Sequence, residues 1–271
     1  MLRVLSLGLG LQSVTLARMS LNGDLPPVDA MIFADPGAES ASTYKMLAIM
    51  QAECEVAGIP LHVVSRGNLY RDLTEGRAGT RFASLPAYTR AEDGKTAILR
   101  RQCTNEYKLK PLRKMERAIA GLVPRQRAKG VLLERWIGIS LDETQRMKDS
   151  RDAYAVNIYP LVDAGMTRHD CRQWLKRNGY DEPEKSACIV CPFHDDAYWR
   201  NMKKNAPDEW QQAITADEAI RHGLHNVKCE GYLHRSLVPL RMVNLASAED
   251  NGQKTLWGDA FVNECEGMCG L

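Results

Sequence analysis

The spacing of apolar and polar positions changes repeatedly along the first half of the chain, and each change marks an element. Arg3 to Leu9 is a short apolar run that predicts a strand, and Gly8-Leu-Gly10-Leu-Gln-Ser13 leads from it into an apolar helical stretch beginning near Val14. Val28 to Phe33 predicts a second strand ending in Ala34-Asp35-Pro36-Gly37-Ala38-Glu39. Ser40 to Gly58 then has helical spacing, with Met46, Ile49, Met50 and Cys54 on one side. His62 to Val64 reads as a third strand and Arg135 to Ile139 as a fourth. Strands alternating with helices predict an α/β fold: a parallel twisted sheet with helices on both faces.

The pattern is different elsewhere. Thr74 to Arg100 is rich in Gly, Arg, Thr and Pro and reads as a long loop; Glu106 to Leu122 reads as a helix with Pro111 in its early part. From about Ala164 the chain turns helical, with Thr167 as N-cap of a helix over Cys171 to Asn178 and Asp195 opening another. The expected division is a nucleotide-binding domain over 1–163 and a helical C-terminal extension over 164–271, its last stretch polar and irregular.

At 271 residues and 44% hydrophobic content the chain can bury a substantial core. No run is long enough to span a membrane, and the first residues run directly into a strand without a signal-peptide pattern, so the expectation is a cytoplasmic, reducing compartment and no membrane partner. The net charge of +2 points to no partner, but basic residues concentrate between Arg100 and Lys129. That run reads either as a solvated helix face or as a surface for phosphate or nucleic acid.

In parallel sheets ligands sit at the carboxyl ends of the strands. Gly8 and Gly10 let backbone N–H groups approach an anion at a helix start, where the Ser13 hydroxyl can donate. The run is neither a Walker loop nor a full Gly-x-Gly-x-x-Gly. Asp35 and Glu39 suit Mg²⁺ or nucleotide contacts, or alternatively a cap and first-turn acid. The pair Asp142 and Glu143, after Ser140, faces the same crevice as the glycine loop.

The words Ser6-Leu-Gly8-Leu-Gly10-Leu-Gln12-Ser13 and Phe33-Ala-Asp35-Pro-Gly37-Ala-Glu39 resemble the PP-loop ATP pyrophosphatase superfamily. Arg101-Gln-Cys103-Thr-Asn-Glu-Tyr107-Lys108, Gly138-Ile-Ser140-Leu-Asp142-Glu143 with Arg146, Tyr159-Pro160-Leu161 and Lys185-Ser-Ala-Cys188-Ile-Val-Cys191-Pro192 are similar to its PAPS reductase-like branch, including versions carried by phages. The resemblance covers about residues 1 to 200 and implies the PP-loop, adenine nucleotide alpha-hydrolase-like fold. It also implies ATP with Mg²⁺ held by Ser6, Gly8, Gly10, Gln12, Ser13, Asp35, Gly37, Glu39, Ser140, Glu143 and Arg146, with Asp142 in a catalytic role. In the family's Ser-Gly-Gly-x-Asp-Ser loop, this chain places Gly8, Leu9 and Gln12 where the first serine, first glycine and aspartate stand.

Cys188 and Cys191 form a Cys-x-x-Cys pair compatible with half a zinc site, an iron–sulfur site or a redox dithiol, and Cys103, between basic residues, is the natural third ligand. Similarity to the tRNA-thiolating branch of the superfamily implies a 4Fe–4S cluster on these three cysteines with one iron open; zinc completed by His194 is the competing expectation. Glu264-Cys265 is similar to the Glu-Cys-Gly tail of sulfonucleotide reductases, and Cys269-Gly270 repeats the Cys-Gly step. Either tail thiol reads as a nucleophile or persulfide carrier, or as a tether. Three functions follow as expectations. The first is ATP-dependent sulfur transfer, with adenylation and pyrophosphate release, to a tRNA, DNA or nucleotide acceptor. The second is reduction of a sulfonucleotide such as PAPS by a C-terminal cysteine. The third is a non-catalytic, zinc-stabilised nucleotide- or nucleic-acid-binding module. A homodimer is the expected assembly.

Overall fold

The computed structural model describes residues 1–75, 85–222 and 229–246. In chain order its elements are β1 (Leu2–Ser6), α1 (Leu11–Asn22), β2 (Ala30–Asp35), α2 (Ala41–Ala57), β3 (Leu61–Ser65), α3 (Leu69–Thr74), β4 (Tyr88–Arg90), β5 (Thr96–Ile98), a π-helical turn (Thr104–Leu109), α4 (Lys110–Ile119), β6 (Leu133–Ile137), a 3₁₀ turn (Leu141–Arg146), β7 (Ala155–Ile158), α5 (Pro160–Asp163), α6 (Arg168–Arg177), α7 (Asp196–Asn205), α8 (Pro207–Ile220), β8 (Glu230–Tyr232) and a 3₁₀ turn (Leu240–Met242). They form two compact units. Among the described residues the first holds Met1–Arg66 and Thr104–Ser186, and the second holds Gly67–Cys103 and residues 187–246.

The first unit is built on a five-stranded sheet in the order β3-β2-β1-β6-β7 with every pairing parallel. Successive side chains on a strand alternate between faces, and here both faces are covered. Leu5 of β1 with Met31 and Phe33 of β2 enters a core shared with α1, α2 and α6, including Leu16, Met50, Cys171 and Trp174. Val4 and Ile32 enter a second core with Leu112 of α4, Leu122, Leu133 and Tyr154. This is the α/β class that the strand–helix alternation predicts.

Local signals explain where the helices start and stop. Ser40 accepts the Thr43 N–H at the start of α2, and Gly58 ends that helix in the left-handed conformation. Thr167 and Asp170 form a reciprocal capping box on α6. The stripe that α2 buries is Thr43, Leu47, Met50 and Cys54, so Met50 and Cys54 face inward as expected, whereas Ile49 is exposed.

Several boundaries differ from the sequence pattern. β1 ends at Ser6, because residues 7–10 leave the ladder to form the loop; β2 and β3 each run to a later residue than expected, and β6 begins at Leu133. β7 is an additional strand of four residues, too short to show a period, placed by pairing with β6. The expected long loop over Thr74 to Arg100 contains β4 and β5, which form a three-stranded antiparallel sheet with β8 in the order β5-β4-β8. The C-terminal part is therefore not purely helical. The first unit extends to Ser186, beyond the expected boundary at 163, because α6 buries Cys171, Trp174 and Leu175 in the core beneath α1.

Cys54 and Cys171 are both buried. Burial, and then the neighbouring Glu53 carboxylate, push the Cys54 thiol up to about 11. A raised folded-state value contributes stability that is fully present below the unfolded value, 9.0, and lost as pH rises through about 11. The urea midpoint is expected to fall across that alkaline window, and Cys54→Ala to flatten the fall. Burial also raises Tyr44 and Tyr154, which leaves a residual slope of the same sign in the variant. An identical slope in both proteins contradicts the assignment.

Candidate nucleotide site

The strand order reverses between β1 and β6, the point at which loops at the carboxyl ends of a parallel sheet diverge and leave a crevice. An open cleft lies there, lined from the β1 side by Ser6, Gly8, Gly10 and Ser13 and from the β6 side by Ile137, Gly138 and Ile139. Phe33 and Ala34 from the end of β2, with Leu109 and Leu112 from the start of α4, form an apolar wall. Lys108, Arg146 and Ser186 supply polar groups.

The loop owes its path to its residues. Gly10 is the extended N-cap of α1, and no side chain caps that end, so the helix's positive end points to the cleft. The left-handed residue in the loop is Leu9, at φ 61°, and not a glycine. Its side chain is only 1% exposed, so core burial holds a conformation that a free leucine avoids. Ser13 Oγ donates to Gly10 O at 3.2 Å. Gly138 is required for close approach: a Cβ there would lie 2.7 Å from Ser13 N and 2.8 Å from Ser13 Cα.

Gln12 does not line the cleft. It is fully buried, and its side chain is committed on both sides: Nε2 donates to Glu143 Oε2 at 2.6 Å and to Ser140 Oγ at 3.2 Å, while Oε1 accepts from Arg168 Nη1 at 3.1 Å. An amide can donate to a carboxylate and accept from a guanidinium at once, whereas an aspartate here would oppose Glu143. Ser140 donates to Asp142 Oδ1 at 2.6 Å, the Arg168 backbone N–H also points at Asp142, and Arg146 Nη1 lies 2.9 Å from Glu143 Oε2. Asp142, Ser140 and Glu143 thus tie the start of α1 to the β6 loop and to α6, and of the acidic-loop residues only Arg146 reaches the cleft.

The second strand end has a similar division. Asp35 Oδ1 accepts from Gly37 N at 2.7 Å and Tyr44 Oη at 2.9 Å, so this carboxylate holds its own turn, where Gly37 takes φ 69°. Burial first, and the Asp35 hydrogen bond next, raise the Tyr44 hydroxyl above its ordinary value. The buried Glu39 accepts from Lys108 Nζ at 2.7 Å and so anchors a cleft lysine. Lys108 and Leu109 reach the cleft from a π-helical turn, a deformation that recurs at functional sites. Their signal in the sequence is the word Cys103 to Lys108; the need for Gly138, Arg168 and Ser186 is not visible as spacing.

In the second unit Cys191 N–H donates to Cys188 O at 3.0 Å across a tight turn. His194 Nε2 lies 2.8 Å from the same carbonyl, and its ring stacks on Tyr198 at 3.7 Å and meets Trp199 edge-on at 4.8 Å. Among the described residues no three His, Cys, Asp or Glu side chains come together in a group able to hold a metal ion. Cys103, Cys188 and Cys191 all stand in the second unit. Cys265 and Cys269 lie outside the described residues. No described helix is long and apolar enough to cross a membrane.

The parallel sheet, its glycine loop and the cleft at the reversal point define an open parallel α/β fold with helices on both faces. The sequence matches no protein-family profile and no curated protein. Among solved structures the chain is similar to phosphoadenylyl-sulfate (PAPS) reductase from Candida auris in a phosphate complex, at 15% identity, 67% of this chain, 75% of that one and a TM-score of 0.44. It is also similar to the U34-tRNA thiolase NcsA from Methanococcus maripaludis with its 4Fe–4S cluster, at 12% identity, 88% of this chain, 78% of that one and a TM-score of 0.41.

Proposed function

We propose that the chain is a PP-loop enzyme that binds ATP in this cleft and adenylates an oxygen of a nucleotide or nucleic-acid acceptor, as the first half of a sulfur transfer. The observation that carries the reading is the cleft at the β1/β6 reversal, where an uncapped helix start, Gly8, Gly10 and Ser13 meet Lys108 and Arg146 beside an apolar wall. Backbone N–H groups of the loop and the two cations neutralise the phosphates, and Phe33, Leu109 and Leu112 cover the base. The acceptor oxygen attacks the α-phosphorus, the α–β bridging bond breaks, and pyrophosphate leaves with the bonding electrons. Lys108 and Arg146 are placed to offset the charge that develops on that leaving group. The second half, displacement of AMP by a sulfur nucleophile, is supported by the cysteine words alone.

Calorimetric titration with ATP, together with release of labelled pyrophosphate, tests the proposal. Lys108→Ala is expected to weaken ATP binding about tenfold, in line with loss of one charge-assisted phosphate contact. Absence of ATP binding, or release of the γ-phosphate alone, contradicts it. Preference for a 3′-phosphorylated sulfonucleotide over ATP transfers the assignment to the tail-thiol reductase.

A further inference from the structure

The basic run between Arg100 and Lys129 is not one surface. Lys108 lines the cleft, and Arg113 Nε donates to Asp152 at 3.0 Å. Arg117 Nη2 donates to Val123 O at 3.2 Å and Gln126 O at 2.7 Å, with its guanidinium 5.6 Å from the Tyr154 ring centroid. These three are occupied with the fold. Arg125, Arg127 and Lys129 are exposed on the loop between α4 and β6, and Arg151 is exposed on the loop before β7. Among the described residues none of these four makes an ion pair.

Both loops enter the amino ends of adjacent parallel strands, and they are tied together where Leu132 N and Leu133 N donate to Tyr154 O at 2.8 and 3.2 Å. The four cations thus share the sheet edge opposite the nucleotide cleft, separated from it by a strand length of roughly 17 Å. The α4–β6 loop has a defined shape. Gln126 N donates to Val123 O at 3.1 Å, Val123 N donates to Gln126 Oε1 at 3.0 Å, and Arg125 sits at φ 66°. Arg117 already serves the negative carboxyl end of α4, so the remaining cations are not needed there. Residues 120–132 contain no acid; on the neighbouring loop Asp152 is taken by Arg113 and Arg135, leaving Asp149 as its exposed acid.

We propose that this edge is a contact site for the phosphodiester backbone of a nucleic acid. Cations at every second residue of a braced loop, on an open surface and not in a pocket, suit a line of phosphates better than a single anion. Exposed Val123 and Val131 flank the charges and offer apolar contact to sugars. The assignment deepens the acceptor half of the proposed function by giving that acceptor a surface away from the chemistry, and it implies a ligand long enough to extend from edge to cleft.

The test is fluorescence anisotropy of the full chain with a labelled RNA hairpin and a DNA duplex of matching sequence, across a salt series. Wild type is expected to bind at least one of the two with strong salt dependence. The triple variant Arg125→Glu, Arg127→Glu, Lys129→Glu is expected to lose at least about tenfold, with the log–log salt slope reduced by between about 2 and 3. The neutral triple variant to Gln gives an intermediate loss, and ATP titration of each variant stays at the wild-type value. RNA-only or DNA-only binding supports the site and identifies the acceptor class. Unchanged binding in both variants, or no binding by wild type at low salt, overturns it. ATP binding is read separately, so failure of the nucleotide site is distinguishable from failure of this one.

Discussion

Arg135→Met is expected to lower the free energy of unfolding by about 3–5 kcal/mol, the usual cost of leaving a buried charge without its partner. Arg135 stands on β6, only 2% exposed, and its guanidinium donates to both Glu116 oxygens at 2.5 Å, to Asp152 Oδ2 at 2.9 Å and to Asn157 Oδ1 at 3.1 Å. Burial works against the charge, but Glu116 and Asp152 outweigh it and hold the guanidinium firmly protonated. Removing it strands the Glu116 carboxylate, which is fully buried and, among the described residues, retains Tyr154 Oη at 3.0 Å. The double variant Arg135→Met, Glu116→Leu removes both charges and is expected to recover at least half of the loss, while Asp152 keeps Arg113. Urea unfolding with an unchanged slope measures both. A single variant that loses less than about 1 kcal/mol, or a double variant no better than the single, excludes this account of the buried cluster.

Gly138→Val is expected to abolish nucleotide binding while costing about 1–3 kcal/mol of stability, the range for overpacking a close contact. The crowded atoms are backbone, Ser13 N and Ser13 Cα, so no side-chain rotamer relieves them. The start of α1 must move away from the β6 loop, and that start carries the N–H groups and the Ser13 hydroxyl of the proposed phosphate site. The same displacement pulls on Gln12, whose hydrogen bonds to Ser140 and Glu143 cross that junction. Gly138→Ala places the same Cβ and shows the same direction with a smaller loss. ATP titration at a temperature where circular dichroism shows the variant folded separates loss of the site from loss of the fold. Wild-type affinity in the valine variant would falsify the role of this contact.

How much of this was readable beforehand differs from element to element. Ser40 and Thr167 each announce a helix because a cap acts over three residues, so α2 and α6 begin next to the residues the sequence indicates. β7 and the β4–β5 hairpin gave no comparable signal, since β7 is only four residues long and Thr96 to Ile98 is exposed throughout. Pairing with β6, β4 or β8 makes them strands, and pairing depends on residues far away in the chain. In the site, Ser6, Gly8, Gly10, Ser13 and Arg146 line the cleft as their positions at strand ends suggest. Asp35, Glu39, Asp142, Glu143 and Gln12 are engaged with partners in the loops themselves, and the sequence does not separate the two cases, because a strand-end position is identical for a residue that faces the ligand and one that braces the loop.

The sequence by itself determined the strand–helix alternation, the parallel open sheet and the place of the glycine loop, because hydrophobic period, caps and turn residues act over a few positions. Only the tertiary structure decided that Gln12 is a buried clip between Glu143 and Arg168, that Lys108 reaches the cleft against Glu39, and that Gly138 must lack a side chain. Tertiary packing also separated the basic run into a cleft lysine, two internal braces and an exposed edge. Each of those outcomes depends on which distant atoms share a few ångströms, and hydrogen bonds and steric contact are decided at that range.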